Sequence, residues 1–230
     1  MLNGKTFLAV IPARGGSKRL PRKNVLKLAG KPLIAWTVEA AKNSKYIDRI
    51  IVSSDDTEIL QIADDLKVEN IKRPDKLAND TSSTFSVVEH VIRQCNSNFD
   101  FILLLQPTSP LRNAAHIDEA IELLMKRDAD AIISVCETEH SPLWANTLPD
   151  NGSMEAFVPQ DFINTRSQDL PKYFRLNGAI YICNTDKFKQ CQTLLIDSNI
   201  YAYEMTQASS VDIDTQIDFS LAEIQLNANK

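Results

Sequence analysis

No apolar run in this 230-residue sequence approaches the roughly 20 residues needed to cross a bilayer, and FLAVIPA near the start is short and meets charge at once. Neither a membrane span nor a secretory leader is expected, and the chain reads as cytoplasmic. The cysteines, Cys95, Cys136, Cys183 and Cys191, show no CxxC pair and no Cys/His ligand spacing, which leaves them as reduced, mostly core residues. Repeats and low-complexity segments are absent too. His90, His116 and His140 have neither triad nor metal spacing, and none is assigned a role.

Acidic residues are missing from the first 38 positions, which hold eight Lys or Arg. The net charge of the whole chain is −5, so the remainder carries −13. An acidic protein has no general affinity for nucleic acid or an anionic membrane, whereas a basic patch on it suits a small anionic ligand. The hydrophobic fraction of 43% and charged fraction of 24% are those of an ordinary globular protein. The length suffices for one large domain, residues 1–230, with a well-buried core.

What is present is a regular alternation of short β-rich runs and longer helical periods. FLAVIP (7–12), RIIVSS (49–54), VENIKR (68–73), FDFILLLQ (99–106) and ADAIISVC (129–136) read as strands. LIAWTVEAAKN (33–43), TEILQIADDL (57–66), SVVEHVIRQC (86–95) and AHIDEAIELLMKR (115–127) read as amphipathic helices. FDFILLLQ is apolar nearly throughout, as a strand covered on both faces must be. The alternation predicts a three-layer α/β/α fold around a mostly parallel, Rossmann-like sheet. From Glu137 to Arg175 the pattern breaks into a polar, Pro-punctuated stretch. So long a loop is unusual inside a compact domain, and residues 137–175 are read as an inserted arm, a hairpin used for dimer contact. NGAIYIC (177–183) re-enters the sheet, YAYEM (201–205) and VDID (211–214) are further short strands, and QIDFSLAEIQL closes the chain as a helix.

Strand 7–12 empties into RGGSKRLPRKN, and in open α/β sheets ligands sit at the carboxyl ends of strands. Gly15 and Gly16 let the backbone approach a ligand closely. Arg14, Lys18 and Lys23 supply charge to phosphate oxygens, the arginine in bidentate fashion. The loop is neither a Walker A motif nor a GxGxxG dinucleotide fingerprint. In VDID, Asp212 and Asp214 stand at i and i+2, which on a strand puts both carboxylates on one face. Hard oxygen ligands so close together suit Mg²⁺, which also takes phosphate oxygens and water. Thr215 and Asp218 fit a capping pattern at the start of the last helix.

The stretch AVIPARGGSKRLPRKN resembles the signature of the CMP-sugar-acid synthetases, specifically the CMP-N-acylneuraminate cytidylyltransferase group. RPDKLANDTSS (73–83), LLQPTSPLR (104–112), LPKYFRLNGAIY (170–181) and SVDIDTQIDFSLAE (210–223) match it further in the same order, so the resemblance spans residues 10–223. It implies a homodimeric enzyme that transfers CMP from CTP to the anomeric hydroxyl of a nonulosonic acid, with Mg²⁺, or Mn²⁺ in its place, as cofactor. Legionaminic acid, pseudaminic acid and Kdo stay open as acceptors. A nucleotidyltransferase acting on a different sugar or on a cofactor, and a catalytically silent nucleotide-binding module, are compatible with the same pattern. By resemblance Arg14, Gly15, Gly16, Ser17, Lys18, Lys23 and Asn24 hold the triphosphate, and Arg73, Ser82 and Thr84 the cytosine and ribose. Asp80 is read as a scaffold of its loop. Gln106 is expected at the sugar near its reacting hydroxyl, Arg166 or Arg175 at the sugar carboxylate, and Asn177 and Tyr181 along the sugar. Arg112 is expected to anchor the helix that follows it. Asp212 and Asp214 become the metal pair, and Arg14, Lys23 and Asp214 the catalytic set. None of the matched stretches offers a general base.

Overall fold

The computed structural model describes residues 1–79 and 81–228. Its central strand, β1 (Phe7–Pro12), is buried from Phe7 to Ile11 because it feeds two cores at once. Phe7, Ala9 and Ile11 face one, Leu8 and Val10 the other, as a period of two requires. The other sheet members are β4 (Arg49–Ser54), β5 (Glu69–Lys72), β6 (Phe101–Leu104), β7 (Ala131–Glu137), β8 (Phe174–Asn184) and β9 (Ile200–Glu204). They form one seven-stranded sheet in the order β5-β4-β1-β6-β8-β7-β9. Strand β8 runs antiparallel to both of its neighbours, and every other pairing in this sheet is parallel. The expected three-layer, mostly parallel architecture is what forms.

Helices α1 (Leu33–Lys42), α2 (Thr57–Asp65) and α4 (Ala114–Arg127) cover one face through Ile34, Val38, Ile59, Ile117 and Ile121. Helices α3 (Thr84–Gln94) and α5 (Thr185–Cys191) cover the other through Val88, Val91 and Phe188. The last helix, α6 (Gln216–Ala228), packs Phe219 and Ala222 on Leu28 of a small hairpin, β2 (Lys27–Leu28) and β3 (Lys31–Pro32). Asp56 caps α2 by accepting from the N–H groups of Glu58 and Ile59 at 3.0 and 3.1 Å. His116 has a structural role: it exchanges capping hydrogen bonds with Asn113 at the start of α4. Cys95, Cys136 and Cys183 are buried as expected, while Cys191 is exposed.

Two expectations need correction. Residues 211–214 form no strand. Ile213 is the buried anchor there, and its N–H reaches Thr108 O at 2.8 Å, a single bond in place of a ladder. The 138–173 stretch contains no hairpin, only the 3-10 turns Pro142–Trp144, Gln160–Phe162 and Ser167–Asp169. Helix α5 and the β2–β3 hairpin escape a reading by period, being too short to show one.

Beside the β8 entrance the β7–β8 register shifts between Ile133 and Val135. Gly178 takes a φ of +75° there, a conformation that favours glycine. The irregularity is held by side chains. Ser134 Oγ lies 2.6 Å from Asn177 Oδ1 and accepts from Ile180 N–H at 2.7 Å, while Asn177 Nδ2 donates to Ser210 Oγ at 2.9 Å. Ala179 N–H also donates to Asn177 Oδ1 at 3.1 Å. Asn177, 1% exposed, thus spends its amide on this buried network, where sequence reasoning expected it along the sugar. Asn177→Ala should lose about 2–3 kcal/mol in urea unfolding, since several buried groups lose their partner together. A loss below about 0.5 kcal/mol, the scatter of neutral surface changes, would contradict this role.

Candidate active site

Strands β1, β4, β5 and β6 run in one direction, so their carboxyl ends share one edge of the sheet. The first charged or polar side chains beyond those ends are Arg14, Asp55, Arg73 and Gln106. The chain reverses its winding between β1 and β6, which leaves a crevice at that edge. A cleft of about 620 Å³ occupies it.

The basic loop forms one wall. Arg14, Gly16, Ser17, Lys18, Lys23 and Asn24 line the cleft, and Asn24 Nδ2 donates to Arg14 O at 3.0 Å, folding the loop back on itself. Gly15 stands behind that wall. Its N–H donates to Asp55 Oδ1 at 3.2 Å, and a Cβ on it would come within 2.5 Å of Asp56 Oδ2. Only a residue without a side chain fits between the loop and the β4 terminus. Arg22, at a φ of +59°, is clamped to Asp56 and Glu58. Burial tends to raise the Asp56 carboxyl, but the hydrogen bond from Arg22 and the capped N–H groups hold it below the usual range.

A second wall comes from β5 and α3. Arg73, Ser82 and Thr84 line it together with Leu77 and Val87, a mixed surface that suits a flat, partly apolar base. Ser83 is the N-cap of α3, and Asp80 lies outside the described residues. The Arg73 side chain is 5% exposed, and burial lowers its pKa against the opposing charge of Asp55.

The acidic segment closes the third side. Lys23 Nζ lies 3.0 Å from Asp214 Oδ1 and donates to Ile213 O at 2.7 Å. Arg19 Nη2 lies 2.8 Å from Asp214 Oδ2. Asp214 is fixed from behind, its N–H donating at 3.1 Å to Asp218 Oδ2, which also accepts from Thr215 N–H at 2.7 Å. Asp218 is therefore the helix-start residue the capping pattern predicted. Asp212 is exposed at the cleft, whose walls take part of its hydration shell. That desolvation, with Asp214 beside it, raises its carboxyl against the pull of the Thr108 hydroxyl and Lys23. Two neighbouring carboxylates at the cation-lined cleft could hold a Mg²⁺, a hard ion that takes oxygen ligands. No group of three or more acidic, Cys or His side chains makes a complete protein cage among the described residues.

The sugar-side set is less gathered. Gln106 lines the cleft, and a Cβ on Gly178 would come within 2.6 Å of its Oε1. Arg175 and Tyr181 do not line the cleft, although the charge of Asp212 reaches both. Arg175 is held by Glu139 at 2.7 Å, which is the main reason its pKa is raised. Arg166 is exposed, pairs with Asp169 at 2.8 Å and stands outside the cleft. Arg112, directly before the α4 N-cap, is wholly buried and donates to Gln106 O and Ala179 O at 3.2 and 3.0 Å, tying the end of β6 to β8. Burial lowers its pKa to about 9. Sequence reasoning missed Arg19, Asp55 and Thr108. The signal for Asp55 was its place directly after RIIVSS, at the same strand edge as Arg14.

The cytidylyltransferase sequence profile matches residues 8–228 of this chain. The chain belongs to the cytidylyltransferase family. It is similar to an N-acylneuraminate cytidylyltransferase of Streptococcus agalactiae serotype III, 37% identical over 92% of this chain. That match covers 51% of the relative, so the chain spans about half its length. A CMP-N,N'-diacetyllegionaminic acid synthase of Legionella pneumophila is 36% identical, with 97% of both chains covered. Among solved structures, a CMP:2-keto-3-deoxy-manno-octonic acid synthetase complexed with CTP superposes with a TM-score of 0.74. It covers 98% of this chain and all of that one at 17% identity, a likeness of fold.

In this family member the folded pKa of Asp212 lies above its unfolded value, so protonation favours the fold at low pH and the ionised form burdens it at higher pH. Asp212→Asn should therefore melt at or above the wild-type temperature at pH 7, the two converging near about pH 3–4 where the carboxyl is protonated. A variant less stable than wild type at pH 7 would contradict the raised pKa.

Proposed function

We propose that this chain transfers CMP from CTP to the anomeric hydroxyl of a nonulosonic acid and releases pyrophosphate. The observation that carries the reading is the meeting of Lys23 and Asp214 at 3.0 Å inside a cleft lined by the RGGSKRLPRKN loop. It joins phosphate-binding cations to metal-binding carboxylates at one strand edge. The relatives named for N-acylneuraminate and diacetyllegionaminic acid support the acceptor class.

In this reading Arg14, Lys18 and Lys23 neutralise the triphosphate while Gly16 and Ser17 bring the loop against it. Arg73, Ser82 and Thr84 hold cytosine and ribose on the wall that also carries Leu77 and Val87. Gln106 orients the acceptor hydroxyl, and Arg175 and Tyr181 flank the sugar beyond Asp212. Arg166 is outside the cleft and reaches a sugar only if the 137–175 arm moves or serves a second copy. Asp212 and Asp214 would hold Mg²⁺, with Mn²⁺ as substitute, which supplies charge neutralisation of the phosphates and a lowered pKa for a coordinated hydroxyl. The sugar oxygen forms a bond to the α-phosphorus, the bond to the β-phosphate bridging oxygen breaks, and the hydroxyl proton leaves to solvent. Placement and charge neutralisation do the catalytic work, without a covalent enzyme intermediate. The reading places the reaction in the cytoplasm, where nucleoside triphosphates are held. Among the described residues no helix is long and apolar enough to cross a membrane.

The test is pyrophosphate release from each of the four nucleoside triphosphates with N-acetylneuraminic, legionaminic, pseudaminic and Kdo acids. CTP with one nonulosonic acid should dominate, and Asp214→Ala should abolish turnover while CTP still binds. Equal rates with all triphosphates, or normal turnover in the variant, would overturn the reading.

The assembly belongs to the same proposal. Leu148, Met154 and Ile163 on the 137–175 arm are 62%, 59% and 53% exposed, an apolar surface that a homodimer would bury. Sedimentation should give twice the monomer mass for the wild type and a shift toward monomer for Leu148→Asp/Ile163→Asp. A monomeric wild type would exclude this use of the arm.

A further inference from the structure

The β4 terminus supplies two successive carboxylates to the back of the cleft, and they do different things. Asp56 is committed to structure through the α2 cap and the Arg22 clamp. Asp55 has no helix to cap. Its Oδ1 accepts from Gly15 N–H at 3.2 Å and lies 3.4 Å from Arg73 Nη2, so a single oxygen joins the phosphate loop to the base-side arginine. Arg73 has little else to fix it. Its backbone N–H is held by Ser54 O at 2.7 Å, but its guanidinium Nε is buried without a hydrogen-bond partner. A buried cation with a single carboxylate partner takes its direction from that partner.

We propose that Asp55 is a positioning residue for nucleotide recognition, one that sets the Arg73 guanidinium and the Gly15 amide as a single unit. This rests on the cytidylyltransferase reading of the cleft. The base-side arginine and the backbone of the phosphate loop are then tied to one carboxylate oxygen, and a nucleotide that displaces one disturbs the other. Asp55 needs no contact with the ligand. It acts through the cost of misplacing Arg73, whose charge has no second acidic partner among the described residues. The carboxylate stands beside β4 Ser53 and Ser54, both buried, so the strand gives it a fixed origin.

The experiment compares wild type, Asp55→Asn and Asp55→Ala by calorimetric CTP and UTP binding and by steady-state kinetics. Asp55→Asn keeps an acceptor for Gly15 N–H and drops the charge facing Arg73. Loss of one charge-assisted hydrogen bond predicts a CTP affinity roughly 10- to 100-fold weaker in Asp55→Ala, with a smaller loss in Asp55→Asn. Both should narrow the preference for CTP over UTP, while kcat at saturating CTP and the KM for the sugar acid stay near wild type. In an Arg73→Lys background the Asp55→Ala loss should shrink to about threefold or less, because coupled residues are not additive. Should Asp55→Ala fail to fold, Asp55→Asn carries the comparison, with melting temperature as the folding control. CTP affinity and preference unchanged in the folded variants, equal losses in both Arg73 backgrounds, or a fall in kcat with unchanged KM would each overturn the assignment. A wild-type protein that binds no CTP defeats the underlying reading as well; one that binds CTP while the variants match it defeats the Asp55 role alone.

Discussion

Opposite charges carried about 190 residues apart meet in one bond pair: Lys23 donates to Asp214 and to the neighbouring Ile213 carbonyl. These contacts join the basic loop after β1 to the acidic segment before α6. Exposed ion pairs are worth little, but Lys23 is largely enclosed, with its side chain 14% exposed. The arrangement matters less for stability than for what it stores. The basic loop holds a surplus of positive charge, and Asp214 balances part of it through Lys23 and Arg19.

That meeting depends on direction. The parallel strands β1, β4, β5 and β6 end side by side on the same edge, so the segment after each end is delivered to one place whatever its distance in sequence. Arg14, Asp55, Arg73 and Gln106 owe their proximity to this alone. Asp212 and Asp214 arrive differently, through an irregular segment held by Ile213 in the core, one backbone bond to Thr108 and the Asp218 cap. The β7–β8 irregularity then shapes the Gln106 side of the cleft. Gly178 leaves room for the Gln106 amide, and the buried Ser134–Asn177–Ser210 network keeps the strand bent there.

FILLL, covered on both faces, and the periodic helices are legible in the sequence because burial and period are properties of neighbouring residues. The RGGSKRLPRKN loop is legible because so many cations after a buried strand need an anionic partner. Asn177 is not: a polar side chain in a strand reads alike whether it meets a sugar or two buried serines. Arg166 and Arg175 are obscure for a similar reason, since sequence does not reveal that Asp169 and Glu139 stand within reach. VDID alternates as a strand should, yet no neighbouring strand accepts it.

The sequence by itself determined the layered architecture, the basic loop and the carboxylate pair, because each rests on local pattern: alternation, charge run, spacing. Only the tertiary structure decided that the loop and the carboxylates touch, that Asp55 joins Gly15 to Arg73, and that Asn177 turns inward. Those outcomes depend on which strand lies beside which and on the partners a buried polar group finds, and neither is encoded in any short stretch of the chain.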